Sequence, residues 1–493
     1  MLNKILFCIP QLVGNSDENP FSSIPREPDP SIGYLSEFLR RNGFKTDVID
    51  LRLGYSVEDV LKKIERWRPD LIGIKILSLK YRSCYQLVEK IKSNFDCKVV
   101  IGGPHISTFG KRVLEECEAD FAIKQEGEPT LLDLCEGKEL ENIPGLIYRN
   151  DDEVIENEDR EFIDVDGLPF PRYKNFELEK YPDKICLDEP EIFLSSMPII
   201  SSRGCPYECI FCPNNVTMGK KFRPRNPRNV IYQIKYWYER GYRNFAFWDD
   251  NFTLEKERVH KICDLLERSN MEGIRLELPN GVRADKTGRE LLQRMKNVGF
   301  EKIFFGVEAG NNKILKRIKK SEKIEVIEKA IKNACELGYY VGLTFMVGHP
   351  SENISDVKDS LKIAFKYPVD CVQFYNIIPF PGTELHKYLK ERDYLVENWA
   401  EKLNSSGHYG CSPFFETPKI SIKEREYLLR KLNGVSRKMR INYMNNGLKN
   451  NFGFLGGIAG YILNSKWIYE KISTTFENKK IREIFKVLLK VRR

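Results

Sequence analysis

The sequence predicts an α/β protein made of two successive sheets. A doubly wound, Rossmann-like domain comes first, then a partial barrel of six strands, then a mostly helical C-terminal region. Three observations carry this. Over the first 150 residues, short apolar runs alternate with stretches of helical period. A second alternation starts near Pro198 and contains six strand candidates. From about Ile420 the strand signals stop. Alternation at this pace builds parallel sheets, and such sheets bind ligands outside the carboxyl ends of their strands. The expected division is a front domain over 1–150, a linker over 151–190, a core over 191–419 and a helical region over 420–493.

In the front domain, Lys4 to Ile9 reads as the first strand. Ser31 to Asn42 reads as a helix with Ile32, Leu35 and Leu39 on one face and Gly43 as its stop. Thr46 to Asp50 is a strand. Ser56 opens the next helix, with Asp59 completing a capping box. Leu71 to Leu77 is a strand, Tyr85 to Ile91 a helix, and Lys98 to Ile101 a strand ending in Gly102-Gly103-Pro104-His105. Phe121 to Ile123 closes the series. The proline-bearing stretch after Asn150 reads as a connection. The second series places strands at Ile199–Ser201, Asn244–Phe247, Arg275–Leu278, Lys302–Gly306, Val341–Met346 and Cys371–Asn376. Helices such as Asn229–Arg240, Glu257–Glu267, Arg289–Val298 and Lys323–Leu337 fall between them.

Composition narrows the class. A 493-residue chain with 41% hydrophobic and 30% charged residues is globular and large enough to bury cores without disulfide staples. Thirteen scattered cysteines argue against a secreted disulfide framework and for a reducing compartment, so a cytoplasmic protein is expected. Ile5 to Pro10 reads as a strand, not a signal peptide, and no run approaches the roughly 20 apolar residues of a membrane span. The net charge of +8 is mild, and no basic, aromatic stripe marks a dedicated nucleic-acid surface. The tail from Ile481 to Val491 has an apolar face and recurring Arg482, Lys486 and Lys490. It reads either as a helix packed on its parent domain or as a peripheral membrane contact.

Chemistry concentrates at Cys205-Pro206-Tyr207-Glu208-Cys209-Ile210-Phe211-Cys212, a Cys-x3-Cys-x2-Cys triplet behind Arg203-Gly204. Soft thiolates suit iron-sulfur clusters. Zinc is the rival. A structural zinc site wants four ligands, and the nearest further candidates are Cys186, His260 and Cys263.

This triplet, in a loop after the first strand of a partial barrel, resembles the radical S-adenosylmethionine family. The resemblance implies a 4Fe-4S cluster held by Cys205, Cys209 and Cys212, with one iron left open for the amino and carboxylate groups of S-adenosyl-L-methionine. Reductive cleavage would then yield a 5'-deoxyadenosyl radical, with the protein supplying position and water exclusion. Phe211 would pack near the adenine. Asp249 and Asp250, after the second strand, would face the methionine amino group. Arg283 would hold a carboxylate and Glu308 would reach a ribose hydroxyl. Gly348 would permit close backbone approach. The bland alternatives are a helix cap for the acidic pair and a surface ion pair for the arginine.

A doubly wound domain ahead of such a barrel resembles the cobalamin-binding subclass of that family, over about Lys4 to Glu416. Gly102 and Gly103, with His105, match the glycine pair that lies against the cofactor's nucleotide tail. Ser78 is a candidate to hydrogen-bond that tail. Glu126, in Gln125-Glu126-Gly127-Glu128, matches a Gly-Glu-Gly-Glu segment, with Gln125 replacing the first glycine. No Asp-x-His-x-x-Gly motif occurs, so the lower face of the cobalt would be open or filled otherwise. The resemblance implies a methyltransferase acting on an unactivated carbon of a small-molecule, lipid or peptide substrate. It also implies an electron donor such as a flavodoxin or ferredoxin. A radical cyclase, oxidase or rearrangement enzyme with the same cofactors is the alternative within enzymes. A zinc-stabilised or cobalamin-sensing binding protein is the alternative outside them.

Overall fold

The computed structural model describes residues 2–11, 27–151, 153–181, 196–404, 411–436 and 438–439. The tail helix expected over 481–491 and Cys186 lie outside these residues.

The front sheet grows around β1 (Lys4–Ile9), whose residues from Ile5 onward are buried. β1 pairs in parallel with β2 (Lys45–Asp50) on one side and β3 (Leu71–Lys75) on the other. β4 (Lys98–Gly102) and β5 (Phe121–Ile123) extend the parallel run. Helices α1 (Pro30–Arg41), α2 (Val57–Trp67) and α3 (Tyr81–Lys92) cover the faces. α4 (Pro104–Phe109), α5 (Arg112–Glu115) and α6 (Gly127–Glu136) follow β4 and β5. The capping box of α2 forms, with Ser56 and Asp59 bonding each other's backbone amides. α1 starts one residue before Ser31, because Asp29 caps it and Pro30 fills its first turn, where a missing N–H costs nothing.

Two strands of this sheet were not foreseen. β6 (Leu146–Asn150) and β7 (Glu153–Glu156) form an antiparallel hairpin on the edge of the sheet. The order is therefore β2-β1-β3-β4-β5-β6-β7, and the sheet runs past residue 150 into the stretch read as linker. β7 has only Val154 and Ile155 to mark it, too few for an alternation to register. The chain order reverses between β1 and β3, which places the ligand crevice of this sheet at the ends of those strands.

The second sheet has six parallel strands in the order β15-β14-β13-β12-β11-β8. They are β8 (Met197–Ile199), β11 (Asn244–Phe247), β12 (Arg275–Val282), β13 (Phe300–Glu308), β14 (Tyr340–Val347) and β15 (Cys371–Asn376). Between them lie α8 (Pro227–Tyr238), α9 (Lys256–Arg268), α10 (Arg289–Asn297), α11 (Asn312–Arg317), α12 (Ile324–Glu336) and α13 (Ile354–Lys366), with α14 (Glu384–Lys390) after β15. Each predicted strand has a counterpart, but the first lies at Met197–Ile199 and not at Ile199–Ser201, because Ser201 turns out of the sheet to bond Asp249. Residues 422–436 are helical and bring Arg425 against Gly348, just past the end of β14. A small antiparallel ribbon, β9 (Ser202–Arg203) with β10 (Arg223–Pro224), encloses the cysteine loop, and the short helix α7 (Asn214–Thr217) lies within that loop.

Buried charge joins the two sheets. Arg203 of β9 donates to Glu126 (3.0 Å) and Glu128 (2.7 Å) at the start of α6. Arg223 of β10 donates to Glu126 at 2.7 Å. Tyr34 of α1 accepts from Arg225 at 3.1 Å. Among the described residues, no helix is long and apolar enough to cross a membrane.

Candidate active site

The cysteine loop is pinned at both flanks and in the middle. The Gly204 amide donates to Asp250 at 2.8 Å. Gly204 has φ of 84°, and a Cβ there would collide with the Lys221 carbonyl, so the turn out of β9 demands glycine. The Cys205 amide donates to the Gly219 carbonyl at 3.3 Å. The Ile210 amide donates to the Ile318 carbonyl (3.1 Å), and the Ile210 carbonyl accepts from the Leu385 amide (2.8 Å). The Cys212 amide closes onto the Cys209 carbonyl at 3.1 Å.

The three thiols are free and partly buried. Burial pushes each up from its ordinary value, Cys212 to about 12, and Cys209 and Cys212 also feel the negative charge of their fellow thiols. Lys320 and Arg283 act on Cys205 and Cys209 in the opposite direction. Three soft donors facing two buried cations fit an anionic iron-sulfur cluster, whose iron would hold the thiols deprotonated. Among the described residues, no three His, Cys, Asp or Glu side chains converge on a single metal ion.

The other residues expected at this site divide by what the fold leaves free. Asp249 is saturated: it accepts from the Ser201 amide (2.7 Å) and from the Ser201 and Ser202 hydroxyls (2.6 Å each). It braces the strand end through these bonds. Asp250 faces the cysteine loop, and burial pushes its carboxyl up to about 6. Arg283 is also engaged, by Asp285 (3.0 Å) and by the carbonyls of Lys320 (2.6 Å) and Ser321 (3.1 Å). Its guanidinium stacks 3.5 Å from the Tyr207 ring, so it ties the cysteine loop to β12 and is not free to grip a carboxylate. Glu308 sits at a register shift between β13 and β14 with φ of 65°, which aims its carboxylate toward Lys320 at 3.4 Å. The close approach expected at Gly348 is made by Arg425 from the C-terminal helix: a Cβ on Gly348 would lie 2.9 Å from the guanidinium. Phe211 packs beside His349, ring centres 6.1 Å apart.

Sequence reasoning passed over several groups here. His349 is fully buried; its Nε2 meets the Glu308 carbonyl at 3.2 Å, and its Nδ1 has no protein partner. Burial pushes it down to about 4, so it is neutral, and with the proton on Nε2 the Nδ1 lone pair is left for a ligand donor. Asn251 is buried with both side-chain polar atoms unpartnered. Such orphaned groups mark where a ligand or water belongs. The signal in the sequence was their place, directly after strands β11 and β14.

At the front sheet, Gly103 has φ of 114°, and a Cβ there would lie 2.7 Å from the Ile76 carbonyl. The turn after β4 thus presses against the end of β3. A Cβ on Gly102 would meet nothing closer than 4.0 Å, so its surface is open. His105 is sealed in: Nε2 meets Tyr85 Oη (3.0 Å) and Nδ1 meets Ser78 Oγ (3.3 Å). Tyr81 and Phe109 flank the ring at 4.5 and 4.4 Å between centres. Burial pushes it down to about 3, and it stands as a neutral pillar under the turn with both ring nitrogens engaged. Ser78 is its partner. The Glu126 carboxylate accepts from Arg203 and Arg223 of the ribbon.

Two family models match in tandem: the B12 binding domain over residues 25–134 and the radical SAM superfamily over 199–364. The chain belongs to the cobalamin-binding branch of the radical S-adenosylmethionine superfamily. This enzyme therefore works with a 4Fe-4S cluster, S-adenosylmethionine and cobalamin. It is similar to an uncharacterized methyltransferase of Pyrococcus horikoshii, 29% identical over 80% of this chain and 90% of the relative. It is also similar to the anaerobic magnesium-protoporphyrin IX monomethyl ester cyclase of Cereibacter sphaeroides, 24% identical over 73% of this chain and 60% of that one. In fold it matches the radical S-adenosylmethionine methyltransferase TsrM of Kitasatospora setae, solved with cobalamin and a [4Fe-4S] cluster. The TM-score is 0.65 at 17% identity, over 80% of this chain and 75% of that one.

Proposed function

We propose that the enzyme transfers a methyl group to an unactivated carbon of a small-molecule substrate. The supporting observation is the coupling of the cysteine loop to the cobalamin domain. Arg203, next to the loop, is held by Glu126 and Glu128, which follow the last parallel strand of the front sheet. When bound, the cluster supplies the electron that opens the sulfonium of S-adenosylmethionine, and cobalamin supplies the methyl group. The residues of the chain bind, orient and exclude water. Cys205, Cys209 and Cys212 hold three irons as thiolates. Lys320 and Arg283 balance the charge of that assembly from within the protein. Asp250, Asn251 and the free Nδ1 of His349 are the polar groups that would meet S-adenosylmethionine, with Phe211 against its adenine. The open surface at Gly102, over the Gly103 turn, would receive the corrin nucleotide tail.

Protein reconstituted anaerobically with iron, sulfide and hydroxocobalamin tests this reading. A product heavier by one methyl group supports it, and turnover without that gain supports a cyclase-type outcome. Cys205→Ala should abolish 5'-deoxyadenosine formation while the melting temperature stays within a few degrees. Formation retained in that variant would refute the cluster assignment.

A further inference from the structure

The cluster must be reduced from outside, and one face of the cysteine loop is built for that contact. A half-open groove of about 450 Å³ is lined by Ile210 of the loop, by Lys313, Lys316, Arg317 and Lys319, and by Tyr388 of α14. The four cations are exposed. Glu384 is the only acid in the lining, and Lys319 pairs with it at 2.6 Å. Lys313 pairs with Asp356, and Arg317 lies 5.1 Å from the centre of the Tyr388 ring. For Lys316 no ion pair forms among the described residues. The groove therefore carries a net positive charge within an otherwise mixed surface.

Its floor leads straight to the cluster ligands. Ile210 adjoins Cys209, and its amide bonds the carbonyl of Ile318, which follows the cationic helix α11. The next turn sends successive lysines opposite ways. Lys319 has φ of 54° and points to solvent, while Lys320 is buried toward Glu308 and the thiols. Lys319 and Ser321 both adopt the left-handed conformation, which ends the helix and sets this turn.

We propose that this groove is the docking site for an acidic one-electron carrier protein. The inference rests on the assignment of the cluster to Cys205, Cys209 and Cys212. The carrier gives up one electron and is oxidised by one. The cluster takes that electron and is reduced by one. No proton or atom is exchanged. Charge complementarity steers the encounter, and the short bonded path through Ile210 makes this face the natural point of transfer.

The test is stopped-flow reduction of the anaerobically reconstituted holoenzyme by flavodoxin hydroquinone, followed by the bleaching of the cluster absorbance. Lys316→Glu combined with Arg317→Glu should slow reduction about tenfold or more at low ionic strength, and the difference should shrink as salt is added. The same variant should be reduced no more slowly than wild type by the methyl viologen radical cation, which needs no docking and is not repelled by the new carboxylates. Reversal of two exposed lysines elsewhere, Lys256→Glu with Lys261→Glu on α9, should change neither rate. Equal flavodoxin rates in wild type and the groove variant would overturn the proposal, as would an equal slowing with methyl viologen. A wild-type preparation with no iron would show instead that the cluster assignment has failed, and the docking site with it.

Discussion

At the scale of single residues, burial decides which groups are chemical and which are mechanical. The three cysteines were legible because their spacing is the signal. His349 and Asn251 were not, because an orphaned atom exists only once the fold has closed around it. Asp249 and His105 were legible as residues but not as roles, since their partners Ser201, Ser202 and Tyr85 gave no pattern linking them in sequence. Glu352 supplies a test at this scale. It is fully buried below the Gly348 and His349 amides, and burial pushes its carboxyl from 4.5 up to about 7. Between those two values the unfolded chain ionises there while the folded chain keeps its proton. Stability from this group is therefore full below pH 4.5 and is lost as pH rises through about 7, by up to ~3 kcal/mol. Glu352→Gln should flatten that part of the pH profile, measured by thermal melts between pH 5 and 7. A slope unchanged from wild type would contradict the assignment.

At the scale of elements, the strands were readable because both faces of a parallel sheet are buried, which leaves near-continuous apolar runs such as Lys4–Ile9 and Tyr340–Val347. The β9–β10 ribbon was not, because each strand is two residues long and made of polar, positively charged or proline residues. Yet the ribbon is what frames the cysteine loop. Gly204 starts that loop in a left-handed turn against the Lys221 carbonyl. Gly204→Ala should cost about 2–3 kcal/mol from backbone strain and the collision. It should also lower the iron bound per protein after reconstitution. Iron content and melting temperature both equal to wild type would show that the turn does not set the loop.

At the scale of the whole molecule, two cofactor domains are held in register by buried ions, a feature no local pattern displays. Glu126 and Arg203 lie 77 residues apart in sequence. The Gly-Glu-Gly-Glu-like segment was legible as a motif, but its fold role is a clamp between domains. Removing one partner of a buried set leaves charge uncompensated, so Glu126→Ala should destabilise the protein by roughly 3–5 kcal/mol, read from denaturant midpoints. Glu126→Gln should cost less, because its carbonyl still accepts from Arg223. The docking groove belongs to this scale too, since it joins the cysteine loop, α11 and α14 from three parts of the barrel.

The account depends on a cluster whose fourth iron is left for S-adenosylmethionine, and electron paramagnetic resonance of the anaerobically reconstituted, reduced enzyme addresses this most directly. The account predicts the signal of a reduced four-iron cluster that changes on adding S-adenosylmethionine and is absent from Cys205→Ala. A signal that S-adenosylmethionine leaves untouched, or a protein that takes up zinc in place of iron, would contradict it.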